Sequence, residues 1–253
     1  MFGFVRAGWR AAVYYPSRIA IDVIRPIMAV IVTVALIRSI AALSGSEELL
    51  GMDILSLTVY YAAFELMAEI PTFIIPWRIQ DDVSNGKISI TLSRPAEPST
   101  WYFLFGLGRA LPGLLAISCM LGILAIITGY WANLPAFLLM VFIFTMFRTL
   151  YDATTGLFSA WTYHIGYFRR ILGWATWGFL GGKIVPLHIL PDWFQTLTYY
   201  LPFRYLGYDA VNTLLYGFDA RAFIIGALWI VPMFLVYRWL YYRAVRRMEA
   251  FGG

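Results

Sequence analysis

The sequence predicts an all-α membrane protein with six transmembrane helices. An N-terminal interfacial helix precedes them, short outer re-entrant helices precede the last span, and both termini are expected in the cytoplasm. Three observations carry this expectation. Of 253 residues, 61% are hydrophobic and 13% charged, and the mean hydropathy is +0.72, outside the range of soluble domains. Crossing a ~30 Å hydrocarbon core takes about 20 residues of helix, and the chain divides into apolar stretches of that order. The net charge of +5 comes almost entirely from arginine, and those arginines fall mostly on one side of the threading. Residues 1–253 therefore read as a single transmembrane domain.

Residues 1–18 mix Phe2, Phe4, Trp9, Tyr14 and Tyr15 with Arg6 and Arg10, a pattern that suits a helix lying in the headgroup layer. They show no signal-peptide pattern. The first span covers about residues 19–43, and a polar outer loop with Glu47 and Glu48 follows. The second covers about 54–77 and the third about 101–128. Residues 129–133 form an outer turn in which Tyr130 and Trp131 are interface anchors. The fourth span covers about 134–160, the fifth about 171–190 and the sixth about 223–242.

Orientation follows from the retention of cationic loops in the cytoplasm. Arg6, Arg10, Arg18, Arg78, Lys87, Arg94, Arg169, Arg170, Arg243, Arg246 and Arg247 share one side of this threading. The other side holds Arg38, Arg204 and Arg221, with Lys183 close by, among Glu47, Glu48, Asp53, Asp192, Asp209 and Asp219. Residues 186–220 do not fit a simple loop. Pro186, Pro191 and Pro202 cut them into apolar pieces too short to span. Proline favours the first turn of a helix, so two short helices are expected to dip into the outer leaflet and return.

Catalytic and metal chemistry find no support. Cys119 is the single cysteine and lies in an apolar run, which excludes an intrachain disulfide and a cysteine-based metal cluster. His164 and His188 are isolated, so no metal site is expected. The run from Gly178 to Ile184 lacks the first glycine and the Ser/Thr of a phosphate loop. Gly178 and Gly182 instead form a small-xxx-small pair that lets helices approach closely. No cofactor is expected in this chain, and no nucleic-acid partner; the lipid bilayer is the partner that the composition implies.

Seven charges fall inside the expected spans: Asp22 and Arg25, Glu65 and Glu69, Arg109, Arg148 and Asp152. Glu65/Glu69 and Arg148/Asp152 are each spaced i, i+4 and share a helix face. A charge at the bilayer centre costs at least ~2.5–3.5 kcal/mol on insertion scales, so these groups must face protein or water. Two readings stay open: a proton or substrate path, or interhelical ion pairs that lock the bundle. Four acids against three arginines favour the pairs.

Between the second and third spans lies the longest strongly polar segment, within residues 78–100. Asp81-Asp82 and Asn85-Gly86 break the helix, and Ile88, Ile90 and Leu92 restart an apolar pattern up to Arg94-Pro95. A push on such an element would move both flanking spans. The stretch from Gln80 to Pro95 resembles the segment after the second span in permease subunits of type-2 ABC exporters. The resemblance is to short, six-span permeases encoded apart from their ATPase. The proline-bounded stretch before the last span, with Leu190-Pro191-Asp192-Trp193 and Tyr200-Leu201-Pro202-Phe203, and the order of elements match as well. Lys87-Ile88 departs from relatives that carry an acid near this glycine.

The resemblance implies that residues 78–100 form a cytoplasmic coupling segment. Asp81, Asp82, Gly86, Lys87, Ile88, Leu92 and Arg94 would then meet the ATPase. It also implies a permease dimer, a homodimer or a pair of paralogues, with Gly178 and Gly182 at the dimer contact. ATP and Mg would be bound by the partner ATPase, and this chain would be a non-catalytic subunit. The cargo would be hydrophobic or amphipathic, exported across the cytoplasmic (inner) membrane of a prokaryote. The competing class is an ion-coupled secondary transporter that uses the intramembrane carboxylates. Its folds often carry paired repeats, which this sequence lacks.

Overall fold

The computed structural model describes residues 2–14, 16–70, 72, 98–161 and 165–249. Helix α1 (Phe2–Val13) leads into α2 (Pro16–Ser44). A two-stranded antiparallel hairpin follows, β1 (Glu48–Leu49) and β2 (Met52–Asp53), turning through Leu50 and Gly51 at φ 55° and 72°. Two successive positive φ values match the right-handed twist of the strands that they join. Asp53 then caps α3 (Ile54–Ala68), its carboxylate accepting the Ser56 N–H at 2.9 Å. The Ser56 hydroxyl, and after it that bond, hold the Asp53 carboxyl below the usual carboxylate range.

Beyond residues 73–97 come α4 (Pro98–Thr128) and α5 (Leu134–Leu157), joined by a turn at Gly129 with φ 84°. Helix α6 (Ile165–Gly173) widens into a π-helix, Trp174–Leu180. Short helices α7 (Asp192–Thr198), α8 (Pro202–Leu206) and α9 (Tyr208–Tyr216) follow. Last come α10 (Ala220–Leu228), which Asp219 caps, and α11 (Ile230–Glu249). Pro232 cannot donate to the Leu228 carbonyl, which accounts for the irregularity at Trp229 between α10 and α11.

Four helical stretches among the described residues are long and apolar enough to cross a membrane: Ala20–Ser44, Thr100–Thr128, Trp131–Leu157 and Ala220–Arg247. The chain is a multi-pass membrane protein. Two of the six expected spans take another form. Helix α3 ends at Ala68; of its expected continuation to residue 77, Glu69, Ile70 and Thr72 are described outside the helix, and residues 71 and 73–77 lie outside the described residues. The expected fifth span, 171–190, is not one helix. It breaks after Leu180, where Gly182 adopts φ 82° and residues 182–185 form bends. The glycines and Pro186 explain the break: one supplies a left-handed backbone position, and the other removes a donor.

The core is built on α3 and α5, with α4, α9 and the helices of the last span around them. Tyr60, Tyr102, Tyr237, Tyr241, Phe64 and Phe137 are among its largest buried side chains. Helix α1 lies along α4 at backbone contact. A Cβ on Gly8 would come within 2.1 Å of the Phe105 carbonyl, and one on Gly108 within 2.1 Å of the Val5 carbonyl. Glycine at both positions is what permits the approach. Arg109 reinforces it by donating to the Ala11 carbonyl, in the last turn of α1, at 3.1 Å. Helix α2 is the least covered, with Ile21, Ile24, Met28, Ile31, Val32 and Leu36 all exposed.

Candidate functional site

Polar side chains gather at three levels along α3. The first is the end of the bundle that carries Tyr130. Ser56 and Tyr130 share a hydrogen bond of 2.9 Å, which ties the start of α3 to the α4–α5 turn. His188 bridges two elements: Nε2 lies 2.9 Å from the Leu50 carbonyl and Nδ1 lies 3.1 Å from the Tyr208 hydroxyl. A carbonyl can only accept, so Nε2 carries the proton and Nδ1 accepts from Tyr208. Gln195 donates to the His188 and Leu190 carbonyls at 3.2 and 2.8 Å, and Asn133 donates to the Leu214 carbonyl at 3.0 Å. Arg204 is buried, stacks 3.8 Å over the Tyr199 ring, donates to Thr198 and lies 3.5 Å from Asp209. These bonds tie the hairpin and the short helices into one cover.

The second level is the break after the π-helix. Tyr60 donates to the Gly182 carbonyl at 2.6 Å and Tyr61 to the Ile184 carbonyl at 3.0 Å. Two tyrosines of α3 thus satisfy backbone acceptors at the bend, and the Gly182 carbonyl is the one to which Pro186, four residues on, has no N–H to donate. Lys183 projects from the same bend to Glu65, at 3.0 Å. Gly182 has no room for a side chain: a Cβ would meet the Tyr60 hydroxyl at 2.9 Å and Leu187 and Tyr208 at 3.2 Å. A Cβ on Gly178 would meet Ile184 at 2.8 Å. Both glycines of the pair thus make close contacts within the chain.

The third level closes the far end of α3. Glu69 pairs with Arg25 of α2. Arg148 of α5 donates through Nη1 to the Ala68 carbonyl at 2.5 Å, and its Nε lies 3.9 Å from Asp152. Asp152 in turn accepts from the Thr72 hydroxyl at 2.5 Å, and both residues are buried. A cation at a helix C-terminus also meets the negative end of the helix dipole. Helix α5 therefore grips α3 at its last residue and again at Thr72, just before the undescribed segment. Asp22 is half-buried on α2, one turn before Arg25.

Of the seven charges singled out from sequence, the structure joins Arg25 to Glu69 and Arg148 to Asp152. It sets Glu65 against Lys183, and it gives Arg109 to the end of α1. Sequence reasoning missed Tyr60, Tyr61, Thr72 and the role of Lys183. Lys183 carried the one usable signal, a lysine directly after Gly181-Gly182 in an apolar run. Asp81, Asp82, Gly86, Lys87, Ile88, Leu92 and Arg94 lie outside the described residues. Among the described residues, no group of His, Cys, Asp and Glu could hold a metal ion.

Long apolar helices around a backbone-broken interior are those of a multi-pass membrane protein. The family model described as "ABC-2 family transporter protein" matches residues 27–252, nearly the whole chain. The protein belongs to this family and is a type-2 ABC permease, the membrane part of an ABC transporter. Membership implies partnership with an ABC ATPase. No curated protein matches the chain.

Proposed function

We propose that this chain is one of two permeases, identical or paralogous, that export a hydrophobic or amphipathic cargo by alternating access. Two ATPase subunits would bind ATP and Mg below the bundle, and their closure would switch the central path between inward and outward opening. On this reading the Tyr130 end faces outward, and the termini and residues 78–100 face the cytoplasm of a prokaryotic cell, beneath its inner membrane.

The observation that supports it best is the anchoring on both sides of residues 73–97. Before them, Ala68 and Thr72 are held to α5 by Arg148 and Asp152. After them, α4 is fixed against α1 through Gly8, Gly108 and Arg109. Force applied between two such anchors passes into the bundle and is not dissipated at loose ends. The ion-coupled alternative gains nothing from the geometry, because Glu65 and Glu69 are each engaged with a cation.

The test replaces Ile88 and Leu92 together by aspartate. An apolar plug seated in a partner groove depends on those side chains more than on surrounding charges. The expected variant inserts normally and keeps the permease dimer. It either loses co-elution with the ATPase, or leaves ATP turnover indifferent to the permease. Normal co-elution together with normal permease-dependent turnover would remove the coupling role from this segment.

A further inference from the structure

The Glu65–Lys183 pair sits at a depth where charge is costly. Ser56 marks the level of Tyr130, and Glu65 is nine residues further along α3, which at 1.5 Å per residue is about 14 Å deeper. Helix α5 gives a matching scale: from Asn133 to Arg148 is fifteen residues, or about 22 Å. Against a ~30 Å hydrocarbon core, Glu65 and Lys183 lie close to the middle.

Both remain open to the surroundings of the chain, with side chains 19% and 30% exposed. One turn deeper, Glu69 and Arg25 are 21% and 43% exposed. Charges so placed cannot face acyl chains. Non-helical backbone at membrane depth is likewise tolerated only inside protein or beside a wet cavity. The bend at residues 182–185 meets that condition through Tyr60, Tyr61 and the ion pair. Apolar side chains are exposed on two elements joined to it: Ile24, Met28 and Ile31 on α2, which packs on α3, and Trp174 and Phe179 on the π-helix that precedes the bend.

We infer that Glu65 and Lys183 form a headgroup site for an amphiphile whose polar head is zwitterionic. The inference rests on the reading that the bundle carries a cargo, and it names the class of that cargo. A ligand with one charge would satisfy one member of the pair and strand the other in a low dielectric. An uncharged head would have to separate the pair without replacing it. A head with both charges satisfies Glu65 with its cation and Lys183 with its anion, while its chain lies along α2 or the π-helix. Selectivity then comes from the penalty on wrong heads as much as from attraction to the right one.

The test uses the full chain in maltoside micelles and three single-chain probes: lysophosphatidylcholine, lysophosphatidylglycerol and a monoacylglycerol. Retention of each is read by native mass measurement. The expected result is that the zwitterionic probe binds about tenfold more tightly than either of the others. Glu65→Gln/Lys183→Gln removes both charges and leaves no unpaired ion, so it should fold and bind all three probes equally. Lys183→Gln alone should lose the preference as well. Equal retention of the three probes by the wild type would overturn the assignment, as would a preference that survives in the double variant. Because no ATPase is present, these outcomes are distinct from a failure of the coupling reading, which shows only in the Ile88/Leu92 variant.

Discussion

Gly182 is the residue on which most of the interior converges. Its φ of 82° excludes ordinary side chains, and the space where a Cβ would sit is bounded by Tyr60, Leu187 and Tyr208. Gly182→Ala combines backbone strain with overpacking and should cost about 1–3 kcal/mol, read as a thermal midpoint lowered by several degrees in detergent. An unchanged midpoint would show that the bend relaxes freely. The sequence made this glycine visible, because a small-xxx-small pair stands out in an apolar run. Its use stayed hidden. Spacing alone cannot tell whether a helix of a second chain or a tyrosine of the same chain fills the space that glycine leaves.

At the scale of elements, α5 is the strut that holds the end of α3. The Thr72–Asp152 bond is buried, so Thr72→Val leaves a desolvated carboxylate oxygen without that donor, at a cost of about 1–3 kcal/mol. The thermal midpoint should fall accordingly, and Thr72→Ser should restore it, since the hydroxyl and not the methyl carries the bond. Equal behaviour of the two variants would assign the effect to packing.

The pattern of elements was legible where length and hydropathy decide: α2, α4, α5 and the last span follow from runs of apolar residues. Of the short helices before the last span, the starts of α7 and α8 were legible from Pro191 and Pro202, but the expected second helix is split at Gly207 into α8 and α9. The fifth span was not legible, since its composition is as apolar as a true span. What breaks it is a positive φ at Gly182 together with carbonyls taken over by tyrosines more than 120 residues away in sequence. Among the charges, the acids of α3 were visible from their spacing. Their partners, Arg25 and Lys183, come from distant segments that only tertiary packing brings near.

In the whole molecule, the polar side chains along α3 form three levels: a hydrogen-bonded cover, a charged middle and an anchored base. On the proposed function, ATP at a partner subunit opens the interior to opposite sides in turn. Thr58 and Ala68 are both partly exposed on α3, toward its two ends, and each tolerates cysteine by size. The decisive measurement places a single cysteine at Thr58 or at Ala68 in a Cys119→Ser background. Labelling of each by an impermeant thiol reagent is followed in the reconstituted complex, with ADP or in an ATP-locked state. ATP should raise labelling of Thr58→Cys from the outer side several-fold, while labelling of Ala68→Cys from the cytoplasmic side falls. Labelling of both positions that ignores the nucleotide would contradict the proposed function.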